Sequence, residues 1–171
     1  PGVVIKRVNE VGEEITDPTA PGELAVKSPT MFREYWGNPE STHNAFVDGW
    51  FLTGDIAVID DGAYRILGRA SIDIIKSGGY KLSALEIEAT LLDHPQVREV
   101  AVIGLLDDEW GELVAAAVVT EGNIDAATVT DWCRQQMSAY KVPRRWLFAD
   151  ALPRNALGKV TKPALKSWFE G

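Results

Sequence analysis

At residue 83 the periodicity of this chain changes, and the change limits it to a fold built from two unlike pieces. Before that point the apolar residues come in short runs, 3–8 (VVIKRV) and 22–28 (GELAVKS), bounded by Gly and Pro at 12, 18 and 21–22. Runs of that length and punctuation predict strands. Two more are expected at 56–60 (IAVID) and 63–67 (AYRIL), joined through Asp61-Gly62, a hairpin-turn dipeptide. This half reads as all β.

The second half is mixed. Ser83 followed by Glu86 makes a capping box, and Ala84, Ile87 and Leu91 recur at helical spacing until Pro95. Residues 97–106 (VREVAVIGLL) and 113–120 (LVAAAVVT) read as strands. A second helix is expected over 126–139, with Val129, Trp132, Cys133 and Met137 on one face. A strand fits 145–149, and Thr161 with Pro163 opens a last short helix. The expected boundary is Gly68-Arg69, separating an all-β piece (1–68) from an α+β piece (69–171).

Composition removes several function classes. With 46% apolar residues the chain has surface enough for a packed core, which excludes disorder. No run approaches the ~20 apolar residues of a membrane-crossing helix, so no span is expected. A lone Cys133 excludes an internal disulfide and points to a reducing, cytoplasmic setting. Cys133, His43 and His94 are too few for a structural zinc site, so no metal-ligating set is expected. At a net charge of −8 a nucleic acid bound across the whole surface is not expected. Charge is uneven, however. Residues 1–140 carry 10 basic and 23 acidic side chains, whereas residues 141–171 carry 7 and 2. A basic tail on an acidic body suits a local anionic ligand such as a nucleotide, or is simply a solvated face. The abrupt Pro1-Gly2 start, without an initiator Met or a targeting segment, suggests a piece of something longer.

Three segments could carry chemistry. In 49–57 (GWFLTGDIA), Asp55 at a strand end is either a turn residue or a carboxylate able to accept two hydroxyl hydrogens, as a ribose diol offers. In 68–81 (GRASIDIIKSGGYK), Gly78-Gly79 is a hairpin turn, or a place where backbone approaches a ligand closely. Lys76 and Lys81 flank it and suit phosphate, although no Walker loop is present. In 153–159 (PRNALGK), Lys159 is either an inert surface ammonium or a cation that reaches into a site to neutralise developing charge.

Each signal is weak alone, but their order and spacing are specific. TGD, then GR fourteen residues on, then IKSGGYKLSALEIE, then PRNALGK resemble the acyl-CoA synthetases of the adenylate-forming (AMP-binding) superfamily. GELAVKSP and REYWGNPEST extend the resemblance over the whole chain, which corresponds to roughly the last third of such an enzyme. The resemblance implies a small, distorted barrel-like β subdomain, ending the large AMP-binding domain, and then a mobile α+β C-terminal domain. It implies an acid–thiol ligase, incomplete in this chain and inactive alone, that turns a carboxylate, ATP and coenzyme A into acyl-CoA, AMP and pyrophosphate. Asp55 and Arg69 would hold the nucleotide, with Lys159 as the catalytic lysine. Lys76, Gly78, Gly79, Tyr80 and Lys81 would contact coenzyme A. Ser71, Ile72 or Asp73 would be the hinge, because the chain has Ser71 where most relatives put Asp or Lys and is one residue longer before Lys76. Mg2+ would be held mainly by the enzyme's own N-terminal catalytic domain, the implied partner alongside a small carboxylic acid. The form GRxSxDxIKSGGYK resembles the malonyl- and methylmalonyl-CoA synthetases in particular. The alternatives are an adenylation domain serving a carrier protein and a non-catalytic nucleotide-binding or interaction module.

Overall fold

The structure is a computed structural model that describes residues 2–170. It is mixed α and β, carries a sheet curled into a half-barrel, and divides into two compact units, residues 1–71 and 72–171. The division falls three residues beyond the Gly68-Arg69 junction read from the sequence, because the last strand of the first unit runs through Arg69.

The first unit holds strands β1 (Val4–Val8), β2 (Gly22–Lys27), β3 (Phe46–Val47), β4 (Trp50–Asp60) and β5 (Ala63–Arg69). They form one antiparallel sheet in the order β1-β2-β4-β3, with β5 also paired to β4. The β4–β5 turn is the expected Asp61-Gly62, whose φ angles of 48° and 76° are those that the right-handed twist of a hairpin demands. Arg7 is buried beneath the irregular stretch after β1. Its guanidinium donates to the carbonyls of Asp17 (2.8 Å), Pro18 (3.0 Å) and Ala20 (2.6 Å), and so pins that stretch against the sheet.

Two features correct the sequence reading of this half. It is not all β, because helix α1 spans Pro39–Ala45. Its start is well signalled: the Asn38 side chain accepts from the Ser41 amide at 2.9 Å, Pro39 takes the first turn and Glu40 follows. The strand expected at 56–60 also begins six residues earlier, so Thr53-Gly54-Asp55 lies inside β4 and not at a strand end.

The second unit is built on one hairpin. Strands β8 (Val97–Asp107) and β9 (Gly111–Thr120) pair antiparallel from Val97↔Thr120 to Asp107↔Gly111. Strands alternate their side chains between faces, and here both faces are apolar, so both must be covered. Val102, Val114 and Ala116 point to one core, closed by α2 (Ala84–Leu92) through Ile87 and Leu91 and by α3 (Ala126–Gln136) through Val129 and Cys133. Ala101, Ile103, Ala115 and Ala117 point to the other, closed by Leu152, by Leu165 of α4 (Lys162–Lys166) and by Phe169. Each Val, Leu, Ile or Phe among them contributes about 1.5–3 kcal/mol on burial, and each Ala less. Cutting Ile87 back to Ala would therefore cost about 2–5 kcal/mol.

The expected capping box is present, with Ser83 Oγ accepting from the Glu86 amide at 3.2 Å. Helix α3 stops at Gln136, three residues short of its expected end, because Met137 turns to an extended conformation (φ −141°). Parallel strand β10 (Arg145–Phe148) flanks β9, and the hairpin β6 (Ile74–Ser77) and β7 (Tyr80–Ser83) joins the sheet at Ser77↔Gly111. Among the described residues no helix is long and apolar enough to cross a membrane.

Candidate functional site

In the first unit, strand pairing brings TGD and GR together. Asp55 stands opposite Arg69 in the β4–β5 register, and Arg69 Nε lies 3.0 Å from Asp55 Oδ1. Arg69 Nη1 also donates to the Thr53 carbonyl at 2.6 Å. Between them Gly54 holds φ +76°, a conformation that favours glycine, while its amide donates to Glu23 Oε1 at 2.8 Å. The result is a kink in mid-strand with a carboxylate and a guanidinium at its rim. Both side chains are part exposed, so the pair is worth no more than about 1 kcal/mol to the fold. Its chemical capacity is another matter. A carboxylate there accepts from hydroxyls, and the guanidinium beside it suits an anion.

The second unit holds two further candidate elements of its own. In the β6–β7 hairpin Lys76 stands directly opposite Lys81, with Gly78 (φ +56°) and Gly79 (φ +82°) at the turn. Like charges placed opposite each other are unfavourable by themselves, and the Glu112 carboxylate already stands close by, accepting from the Lys76 amide at 2.6 Å. Lys76, Gly78, Gly79, Tyr80 and Lys81 are all exposed. Gly78 is held from behind, since its amide donates to the Trp110 carbonyl at 2.9 Å and a Cβ would meet the Trp110 ring at 3.0 Å. A Cβ on Gly79 would meet nothing within 4 Å. Tyr80 stacks on Tyr140 with ring centroids 4.6 Å apart, and the Arg144 guanidinium lies 3.9 Å over Trp110.

Lys159 is exposed on a loop that is tied to itself. Asn155 Oδ1 accepts from the amides of Leu157 and Lys159, both at 3.0 Å, and the Asn155 amide donates to the Lys159 carbonyl at 2.9 Å. Arg154 closes the loop, donating to the Gly158 carbonyl at 2.7 Å and to Glu99 Oε2 on β8 at 2.5 Å. The backbone that carries Lys159 is thus preformed, while its four-carbon stem keeps its freedom.

Of the three expected hinge residues, Ser71 and Ile72 are exposed in a turn and flank the division between units. Asp73 is fastened to the second unit. Its carbonyl accepts from the Ala84 amide at 2.7 Å, and its carboxylate lies 2.6 Å from Lys162 Nζ. Lys162 also pairs with Glu88 Oε1 at 2.8 Å, and Glu88 accepts from the Val102 amide at 2.7 Å. Burial pushes the Glu88 carboxyl above its ordinary range, opposed by the charge and hydrogen bond of Lys162.

Cys133 is buried in the α3 core, where loss of water pushes its thiol up to about 11, the opposite of a reactive cysteine. His94 is buried too; its Nδ1 accepts from the Gln96 amide and its ring stands edge-on to Trp132. Among the described residues no group of three or more His, Cys, Asp or Glu side chains could hold a metal ion.

The sequence reading missed Trp110, Tyr140, Asn155 and Lys162. Only Asn155 carried a local signal, an Asn three residues before a Gly in a loop.

Comparison with known proteins identifies the family. Residues 86–159 match the model of the AMP-binding enzyme C-terminal domain. The chain is 46% identical over 184 residues to a malonate–CoA ligase of Arabidopsis thaliana, covering 99% of the chain and 30% of that protein. It is 50% identical over 151 residues to the human mitochondrial malonate–CoA ligase ACSF3, covering 86% of the chain and 26% of that protein. Among solved structures, ATP-bound MatB from Rhodopseudomonas palustris superposes with a TM-score of 0.87 at 38% identity, covering 99% of this chain and 34% of that one. The chain thus spans about a third or less of the proteins it matches. By sequence and by fold, it belongs to the AMP-binding enzyme family and carries that family's C-terminal domain.

Proposed function

We propose that this chain is the C-terminal part of an ATP-dependent acid–CoA ligase that activates malonate or a closely related small dicarboxylate. The observation that carries the reading is the 46% identity to a malonate–CoA ligase, sustained over 99% of the chain. The geometry supports it, because each part of the chain offers groups suited to one part of the reaction.

The reaction has two steps. A carboxylate oxygen of the acid attacks the α-phosphorus of ATP, the bond to the β-phosphate oxygen breaks, and pyrophosphate leaves. The thiol of coenzyme A then attacks the acyl carbon, a C–S bond forms, and the C–O bond to AMP breaks. Asp55 would accept the two ribose hydroxyls, and Arg69 beside it would hold the same nucleotide through its anionic part. Lys159 would place an ammonium against the negative charge spread over the five-coordinate phosphorus, an electrostatic role that needs a positioned cation and no proton transfer. A preformed loop backbone suits that role, because the ammonium then needs little reorganisation. The bare turn at Gly79, with Gly78, Tyr80, Lys76 and Lys81, would pass the pantetheine arm and phosphates of coenzyme A.

We assign residues 1–68 to the end of the large AMP-binding domain and 69–171 to the C-terminal domain, which would rotate between the steps. Ser71 and Ile72 are the better hinge candidates, because Asp73 is already bonded into the second unit. Mg2+ would accompany ATP. Its ligands would come mainly from the enzyme's own N-terminal domain and from the ATP phosphates. A cytoplasmic site is supported by the single, buried Cys133, although the human relative is named as mitochondrial.

The test is AMP formation by the full-length protein, given ATP, magnesium, coenzyme A and a panel of acids. Malonate or methylmalonate should be turned over in preference to acetate and to long-chain acids. Absence of AMP with every acid removes the ligase reading, and preference for a monocarboxylate removes the malonyl assignment.

A further inference from the structure

Lys162, Asp73 and Glu88 make an ionic cluster inside the second unit, with only 12–14% of each side chain exposed. Four separate stretches of chain meet there: the segment after the division at residues 71–72, helix α2, strand β8 through the Val102 amide, and the start of α4. Buried ion pairs are weak contributors to stability, because desolvation offsets the attraction, and an apolar group of equal volume often serves as well. What such a cluster supplies is direction. Two carboxylates at 2.6 and 2.8 Å fix where the Lys162 ammonium sits, and with it the first turn of α4.

That turn begins three residues after Lys159. Between the two lysines the chain has little slack. Val160 bridges to Arg154, and the Thr161 amide donates to the Pro153 carbonyl at 2.8 Å. On its other side the loop is held by Arg154 against Glu99 of β8. Lys159 is therefore slung between two charged anchors, one of which is bonded to Asp73, the second residue of the unit.

We propose that Lys162 is a positioning residue: through Asp73 and Glu88 it fixes the loop that presents Lys159, and ties that loop to the segment leading into the second unit. The proposal rests on the ligase reading only for its kinetic consequence. The Lys162 clamp acts on the loop whatever the reaction is.

Two measurements test it. In this chain, amide hydrogen exchange at Leu157 and Lys159 should quicken by about tenfold or more in Lys162→Met, while Val129–Cys133 in α3 stay as protected as before. Lys162→Arg, which keeps the charge, should restore protection. If Lys162→Met does not fold, Glu88→Gln carries the same comparison, since it removes one anchor and keeps the shape. Unchanged exchange in the loop, or equal quickening throughout the unit, overturns the clamp. In the full-length protein, Lys162→Met should lower kcat for pyrophosphate formation about ten- to a hundredfold with KM for ATP nearly unchanged, as a misplaced catalytic group does. Coenzyme A transfer from supplied acyl-adenylate should stay within about twofold. A parallel fall in both steps reduces Lys162 to a structural residue and overturns the proposal. Lack of AMP formation by the unmutated protein would instead remove the ligase reading, leaving the exchange comparison to judge the clamp.

Discussion

The Arg69 guanidinium and the Asp55 carboxylate, fourteen residues apart, face each other across two strands at 3.0 Å. Gly54 sits beneath them, and a Cβ there would approach Arg69 Nη1 at 2.9 Å. The guanidinium is the end of a flexible side chain and can move aside at little cost. Gly54→Ala should then lose about 1–2 kcal/mol, the backbone penalty of the left-handed region. Gly62→Ala, with similar φ and open space, should lose about the same. Urea denaturation of the two variants checks this. Only Gly54→Ala should also weaken nucleotide binding by the full-length protein, because it drives Arg69 off the Thr53 carbonyl. Equal binding by both variants would separate Arg69 from the nucleotide.

Lys159→Ala should leave the fold intact, within about 0.5 kcal/mol, as substitutions of exposed side chains do. In the full-length enzyme the same change should slow adenylate formation by about 10²–10³. Pre-formed acyl-adenylate should largely rescue transfer to coenzyme A. Pyrophosphate exchange and thioester formation, measured separately, decide the matter, and an equal loss in both denies Lys159 its role.

The two hairpin glycines should behave differently. The Cβ of Gly79→Leu meets nothing within 4 Å, so the main cost expected is the strain of its positive φ, about 1–2 kcal/mol. It should spare pyrophosphate exchange and block thioester release. Gly78→Leu must also displace the Trp110 ring, which should appear as a changed tryptophan emission and a larger loss of stability. Normal coenzyme A consumption by Gly79→Leu would end the assignment of this turn to the pantetheine arm.

Cys133 gives a prediction in pH. Its thiol rises from an ordinary 9.0 to about 11 because it is buried, so the folded state holds the proton more tightly than the unfolded chain. The stability this confers is whole below pH 9 and is lost as pH rises through the folded value near 11. The stability of the native chain minus that of Cys133→Ala should be constant below pH 9 and fall above it. A difference that stays constant to pH 11 would mean the thiol titrates in the folded protein as it does in water.

The legible parts of this fold are those fixed by local pattern. Ala84, Ile87 and Leu91 announce a helix, Ser83 announces its cap, and the runs in 97–106 and 113–120 announce a hairpin buried on both faces. The Asp61-Gly62 turn was equally clear, yet it did not suffice to pair Asp55 with Arg69. Counting outward from that turn sets Asp55 opposite Gly68, and a bulge between Ile56 and Ala57 moves the register by one to Arg69. Gly68, with φ 129° at the shift, is the kind of residue that marks a bulge, but a lone Gly in a strand does not by itself set the register. Asn38-Pro39-Glu40 did mark helix α1, but seven residues carry too little periodicity to stand out among strands. Lys162 was invisible for another reason. Its partners Asp73 and Glu88 lie 89 and 74 residues away, and only the packing of α4 onto the unit reveals them.

The hairpin with two apolar faces has a consequence for the order of assembly. Its ladder joins consecutive strands, so its loop closes at small entropic cost and it can form early. Helices α2 and α3 cover one face from segments on either side of it, whereas Leu152, Leu165 and Phe169 cover the other and follow well after the hairpin. As the chain leaves the ribosome, Ala101, Ile103 and Ala115 stay bare until the tail arrives. A chain ended at Asp150 should therefore keep the hairpin but bind an apolar dye and aggregate. The segment that seals this face also bears Lys159, so the unit completes its core and acquires its ammonium in the same event.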